Sequence, residues 1–195
     1  PRVKRLSMEL GGNAPMLIFD DADLGTAVDA AMIAKFRNCG QSCIAANRIY
    51  VQKDIYDTFT KTFAQRVAAM KLGDGLEMDT DIGPLIDEAA VEKVNEHLDD
   101  ALAGGGQVLA GGRGEGRVAP PPLGANVKTD GLLTREETFG PLAGIVAFES
   151  YDEAIRLAND TPFGLASYVC ATGMETITRA SRDIESGMVG NNTGL

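Results

Sequence analysis

The chain has 195 residues, 44% of them hydrophobic, enough for one sizeable core or at most two small ones without disulfide or metal staples. Its formal net charge of −10 and the lack of any long Lys/Arg cluster exclude nucleic acid and an anionic membrane as expected partners. No apolar run reaches the ~20 residues that cross a bilayer, no secretory signal opens the chain, and Cys39, Cys43 and Cys170 fit neither a zinc spacing nor a disulfide framework, so a reducing, cytoplasmic setting is expected.

Residues 16–19 read as a short buried strand, after which Asp20, Asp21 and Asp23 cap and charge the start of a helix over 24–36. Val28, Ala31 and Met32 give that helix a modest apolar face, and Gly40 stops it. A strand over 48–52 follows, with Arg48 as its anchor. Asp54 opens a second helix, closed by Gly73, in which Ile55, Phe59, Phe63, Val67 and Met70 recur about every four residues. Residues 73–86 are loop by their Gly, Asp and Pro content. Asp87 begins a third helix with Val91, Val94, Leu98 and Leu102 on its apolar face; His97, the single histidine, falls beside that stripe and is expected to be solvated.

Glycines dominate 104–116, where Gly114, Gly116 and Ala119 nominally fit a dinucleotide-binding fingerprint. Pro120, Pro121 and Pro122 stand where that fingerprint needs a helix, so the segment reads as loop around a strand at 107–110, with no phosphate cradle. Strands over 142–148, 166–171 and 188–191 then alternate with helices over 152–159 and 175–185. This alternation predicts a three-layer α/β/α domain, its mostly parallel sheet covered on both faces, with no internal repeat or linker.

Chemistry concentrates in KFRNCGQSCIAANR, residues 35–48, where Cys43 follows the small, polar Gly40, Gln41 and Ser42. A thiol presented beside free backbone N–H groups has a lowered pKa and a ready oxyanion donor, the setting of a nucleophile; the alternative is a small buried hydrophobe. In MELGGNAP, residues 8–15, Glu9 stands between Met8 and Leu10. An apolar surround would lift its carboxyl toward the range of a general base, and a structural carboxylate bonded to backbone is the alternative. With one histidine in the chain, a base for Cys43 is better sought among carboxylates. TREETFGPLAG, residues 134–144, places two glutamates and an aromatic before a strand; NDTPFGLASYV and SGMVGNNTGL, residues 159–169 and 186–195, complete the set.

Together and in this order, these motifs resemble the aldehyde dehydrogenase superfamily from about Val3 to the last residue. The resemblance implies that Cys43 is the nucleophile, Glu9 the general base, and Glu137 and Phe139 the contacts to the nicotinamide ribose and ring of NAD or NADP. It also implies that Asn191 to Thr193 lie near the substrate pocket. KFRNCGQSC looks most like the succinate-semialdehyde branch, in which the arginine at the position of Arg37 binds the substrate carboxylate, a geometry suited to a guanidinium; the alternative for Arg37 is a cation favoured by the helix C-terminus.

The sequence departs from the family in three respects. Ile44 and Ala45 leave no second cysteine two residues after Cys43, so Cys39 is the alternative partner for a redox switch. A family member is about twice as long, and the part expected to be missing binds the dinucleotide and supplies an oxyanion-hole asparagine. The strand that pairs subunits into a homodimer or homotetramer is also expected to be missing. Residues 1–195 are therefore expected to be the catalytic domain of an enzyme oxidising a small aldehyde, succinate semialdehyde foremost, and to be inactive alone as a dehydrogenase. Glutarate semialdehyde or an aliphatic aldehyde as substrate, a cofactor-independent thiol esterase, and an inactive structural fragment remain as alternatives.

Overall fold

The computed structural model describes residues 3–195, folded around a seven-stranded sheet. The strands are β1 (Ala14–Ile18), β2 (Ala46–Gln52), β3 (Gln107–Ala110), β4 (Leu123–Ala125), β5 (Ala143–Phe148), β6 (Ala166–Cys170) and β7 (Met188–Asn191), in the order β3-β4-β5-β2-β1-β6-β7. All pairings are parallel except that of β3 with β4. Every residue of β1 and β6 is buried, as required of strands covered on both faces rather than one.

The helices are α1 (Leu24–Phe36), α2 (Lys53–Ala68), α3 (Glu88–Ala103), the short α4 (Leu132–Arg135), α5 (Tyr151–Asn159) and α6 (Met174–Asp183). Asp23, Asp87 and Ser150 cap α1, α3 and α5 by accepting the N–H three residues on, the role their short polar side chains suit. The chain winds outward from β1 in both directions, through α1 to β2 and through α5 and α6 to β6 and β7, giving the expected three layers. No helix among the described residues is long and apolar enough to cross a membrane.

Two elements have no signal in the sequence. β4 directly follows the three prolines, and α4 has only four residues, too few to display a period. The α2 helix ends at Ala68, before the expected stop at Gly73, because Leu72 pairs with Ile82 to close the following loop. The expectation for His97 is overturned: it is 1% exposed. The buried stripe of α3 runs through Val91, Val94, His97, Leu98 and Ala101, while Leu102 faces out, because the 134–140 segment covers the side of the helix assigned to solvent.

The parallel arrangement fixes where the motifs meet. Residues 9–12 enter β1, 37–45 enter β2 and 136–142 enter β5, and these three strands are neighbours running the same way. All three loops therefore sit at one edge of the sheet, beside the N-terminal ends of its strands.

Candidate active site

Cys43 lies in the turn between α1 and β2, half-buried, whereas Cys39 and Cys170 are buried. The approach to it is backbone of an unusual kind. After α1 ends at Phe36, Asn38 and Cys39 both adopt left-handed φ, 52° and 57°, and Gly40 follows at 71°. For non-glycine residues that conformation is strained. It is held because Gly40 packs on the loop before β5, where a Cβ would stand 2.3 Å from the Gly140 carbonyl oxygen. Cys39 is turned away from Cys43: its Sγ lies 3.5 Å from the Gly83 carbonyl, and burial pushes its pKa up. It braces the 73–86 loop, as does Gln41, whose Oε1 accepts from Ile86 N–H at 2.9 Å.

The turn itself is closed by Ala45 N–H donating to Ser42 O at 3.0 Å and Ile44 N–H to Ser42 Oγ at 3.4 Å. Among the described residues nothing accepts the Cys43 N–H. That free donor adjoining the sulfur is what an oxyanion hole requires.

Gly12 brings the second loop against the first. A Cβ there would stand 1.9 Å from the Cys43 carbonyl oxygen, so only glycine permits the approach. Glu9 is three residues upstream, within ~10 Å of chain. The apolar surround expected for Glu9 is not formed: Met8 and Leu10 are 67% and 58% exposed, because no element of the described chain covers this segment.

The third loop is tied to the other two. Glu137 accepts the Gly12 N–H on Oε1 at 2.8 Å, and Asn13 Nδ2 donates to Thr134 O at 3.0 Å. Phe139, with φ of 52° and 41% exposed, is a bulky residue held in left-handed backbone with its ring toward solvent. From below, α3 grips this loop: Lys93 Nζ donates to Glu137 O at 2.6 Å, and His97 Nδ1 lies 3.1 Å from Thr138 Oγ1. Motif reading missed Lys93 and His97; their one signal is a four-residue spacing that puts both on one side of α3. A half-buried carboxylate beside an exposed ring fits the ribose and nicotinamide of a dinucleotide. Among the described residues no cluster of His, Cys, Asp and Glu could hold a metal.

Burial lowers the pKa of His97, Lys93 lowers it further, and Glu136, Glu96 and Asp100 act against them. A histidine held neutral in the folded state takes up its proton more readily when unfolded, so its contribution is intact above the unfolded value of 6.5 and is lost as pH falls below it. Urea denaturation between pH 7 and pH 5 is expected to show a stability loss that His97→Gln reduces.

Arg37, at the C-cap of α1, is exposed, and among the described residues no carboxylate pairs with it. The Tyr168 phenol pKa is raised by burial, lowered by Arg37 and raised by Cys43. Arg48 is an anchor, as expected: 1% exposed, it donates through Nε to Asn13 O at 2.9 Å and through its two terminal nitrogens to Leu157 O and Ala158 O at 3.0 Å each.

Register sets Asn191 opposite Val169 near the C-terminal ends of the strands, and Asn192 exchanges two bonds with Ala171, at 3.1 and 2.9 Å. From this segment it is Leu195 that comes back beside Ile44, where both line one cavity.

The profile of the aldehyde dehydrogenase family matches residues 1–195. The chain is 50% identical over 194 residues to a glutarate-semialdehyde dehydrogenase of Pseudomonas putida, covering 99% of this chain and 40% of that protein. It is 50% identical over 194 residues to a 3-sulfolactaldehyde dehydrogenase of Pseudomonas putida, covering 98% and 40%. The crystal structure of a succinate-semialdehyde dehydrogenase from Burkholderia pseudomallei superposes with a TM-score of 0.96 at 46% identity, covering 99% of this chain and 41% of that one. The chain thus spans about 40% of the length of the relatives it matches.

Proposed function

Because the chain belongs to the aldehyde dehydrogenase family, we propose that it is the thiol-bearing domain of an NAD- or NADP-dependent dehydrogenase for aldehydes that carry an anionic group, succinate semialdehyde foremost. The observation that carries this reading is the meeting of three loops around a half-buried thiol whose own N–H is free. The three relatives named above share one chemical feature in their names, an aldehyde bearing a carboxylate or a sulfonate. Arg37, an exposed guanidinium with no carboxylate partner among the described residues, is the group of this chain suited to that anion.

In this reading the Cys43 thiolate adds to the aldehyde carbon, and the oxygen that gains the charge is held by the Cys43 N–H. When bound, a nicotinamide dinucleotide supplies a two-electron acceptor. Glu137 and Phe139 would hold its nicotinamide end. Glu9 draws a proton from the water that releases the acyl group from Cys43 Sγ, the work a histidine does in other thiol enzymes. The remainder of the protein supplies the rest of the dinucleotide site and the subunit contacts of a homodimer or homotetramer. Three unpaired cysteines suit a reducing compartment, consistent with the cytoplasm.

The test is the pH dependence of alkylation by iodoacetamide, resolved by mass spectrometry. Cys43 is expected to react faster than Cys39 and Cys170, whose thiols burial holds protonated. Equal rates at the three thiols in the folded chain would remove the nucleophile and with it the proposal.

A further inference from the structure

Tyr168 is 2% exposed in the middle of β6, yet its hydroxyl is bonded to the turn that carries the thiol, donating to the Ile44 carbonyl at 2.8 Å across 124 residues of chain. Ile44 is the residue after Cys43, and the Cys43 carbonyl is fixed by Gly12. Two successive carbonyls are thus engaged from elsewhere in the chain, one by close packing and one by a hydrogen bond, and they set the direction of the Cys43 N–H and side chain.

Packing alone does not hold the Ile44 side of the turn. A cavity of about 150 Å³, lined by Ile44, Tyr168, Gly190 and Leu195, leaves it room to move. A hydroxyl bond is the brace there. Arg37, at the C-cap of α1, opens the same connection that carries Cys43 and Ile44 into β2, and burial raises the pKa of the phenol, keeping it protonated and able to donate. Gly190 allows the ring this position: a Cβ there would stand 3.0 Å from Tyr168 Cδ1.

We propose that Tyr168 is a positioning residue that registers the Cys43 turn against Arg37, so that an aldehyde held by its anionic group presents its carbonyl carbon to the sulfur. This rests on the reading of Cys43 as nucleophile and Arg37 as anion clamp. Tyr168 touches neither substrate nor reacting atoms; it acts through the Ile44 carbonyl.

Two alkylating reagents separate this role from a structural one. Iodoacetate carries a carboxylate and iodoacetamide does not, so their rate ratio at Cys43 reads the register between clamp and thiol. Arg37→Gln is expected to lower the ratio. Tyr168→Phe, which removes one hydroxyl, is expected to lower the ratio by about three- to ten-fold, the range a single neutral hydrogen bond supplies. Melting temperature is expected to fall by only about 2–4 °C, the loss of one hydrogen bond, and the rates at Cys39 and Cys170 are expected to stay unchanged. Should Tyr168→Phe fail to fold, Gly190→Ala, which pushes the ring by a few tenths of an ångström, is expected to shift the ratio the same way by a smaller factor.

An unchanged ratio in Tyr168→Phe, or equal slowing of both reagents, overturns the proposal and leaves the nucleophile standing. No effect of Gly190→Ala, where that variant has to serve, overturns it likewise. A ratio insensitive to Arg37→Gln overturns the clamp and the proposal with it. Equal alkylation of all three thiols in the unaltered chain overturns the nucleophile itself.

Discussion

Gly12→Ala is expected to abolish the selective alkylation of Cys43 and, in the full-length protein, to lower aldehyde turnover by about 100-fold. The added Cβ would stand 1.9 Å from the Cys43 carbonyl oxygen, and real Cβ contacts do not fall below 3.0 Å, so the two loops must part by about 1 Å. Both are backbone at the point of contact, and no side chain can swing aside to absorb the strain. The movement displaces the Gly12 N–H from the Glu137 carboxylate as well as the Cys43 turn, so the chemistry loses alignment on two sides together. Gly112→Ala is the control, because nothing lies within 4 Å of its Cβ. Alkylation kinetics on the two variants and the unaltered chain decide the matter; a Gly12→Ala chain that alkylates Cys43 at the original rate would refute the loop contact.

Arg48→Met is expected to destabilise the fold by about 3–5 kcal/mol, through three carbonyl oxygens left buried without a donor. These are Asn13 O, on the loop that leads from Glu9 into β1, and Leu157 O and Ala158 O in the last turn of α5. The guanidinium meets the negative end of that helix, an arrangement favoured by its dipole. For a chain of this size the loss corresponds to a fall in melting temperature of about 10 °C. Arg48→Lys keeps the charge but offers no planar fork, so it is expected to fall between the two. A melt of Arg48→Met within 2 °C of the original, a ~1 kcal/mol effect, would show that water reaches those carbonyls.

Much of this was legible in the sequence for a physical reason. The strands and the long helices announce themselves through burial, period and caps, which are local: Asp23 and Asp87 cap the helices they were expected to cap, and β7 begins and ends at the expected residues. The family followed from motifs whose order, rather than any single match, is specific. What the sequence hid depends on distance along the chain. His97 looks solvated on its own helix and is buried because residues 134–140 fold over it. Tyr168 looks like one more core aromatic until its hydroxyl is seen on Ile44. Glu9 errs in the other direction: its neighbours are apolar, but among the described residues no layer lies above them. Of the left-handed pair, Asn38 is a residue type that tolerates such backbone, but Cys39 carries no mark of it, and Gly40 beside them packs on the loop before β5.

The braces of the thiol have a consequence in time. Glu137 follows Gly12 by 125 residues and Tyr168 follows Ile44 by 124. Ribosomes add about 5–20 residues per second, so roughly 6 to 25 s separate the translation of Cys43 from that of Tyr168, 125 residues later. Throughout that interval the nascent chain carries the cysteine with its mobility unrestrained, and its reactivity is that of an ordinary thiol. The selectivity of the mature site is acquired abruptly, when β5 and β6 take their places on either side of β2 and β1.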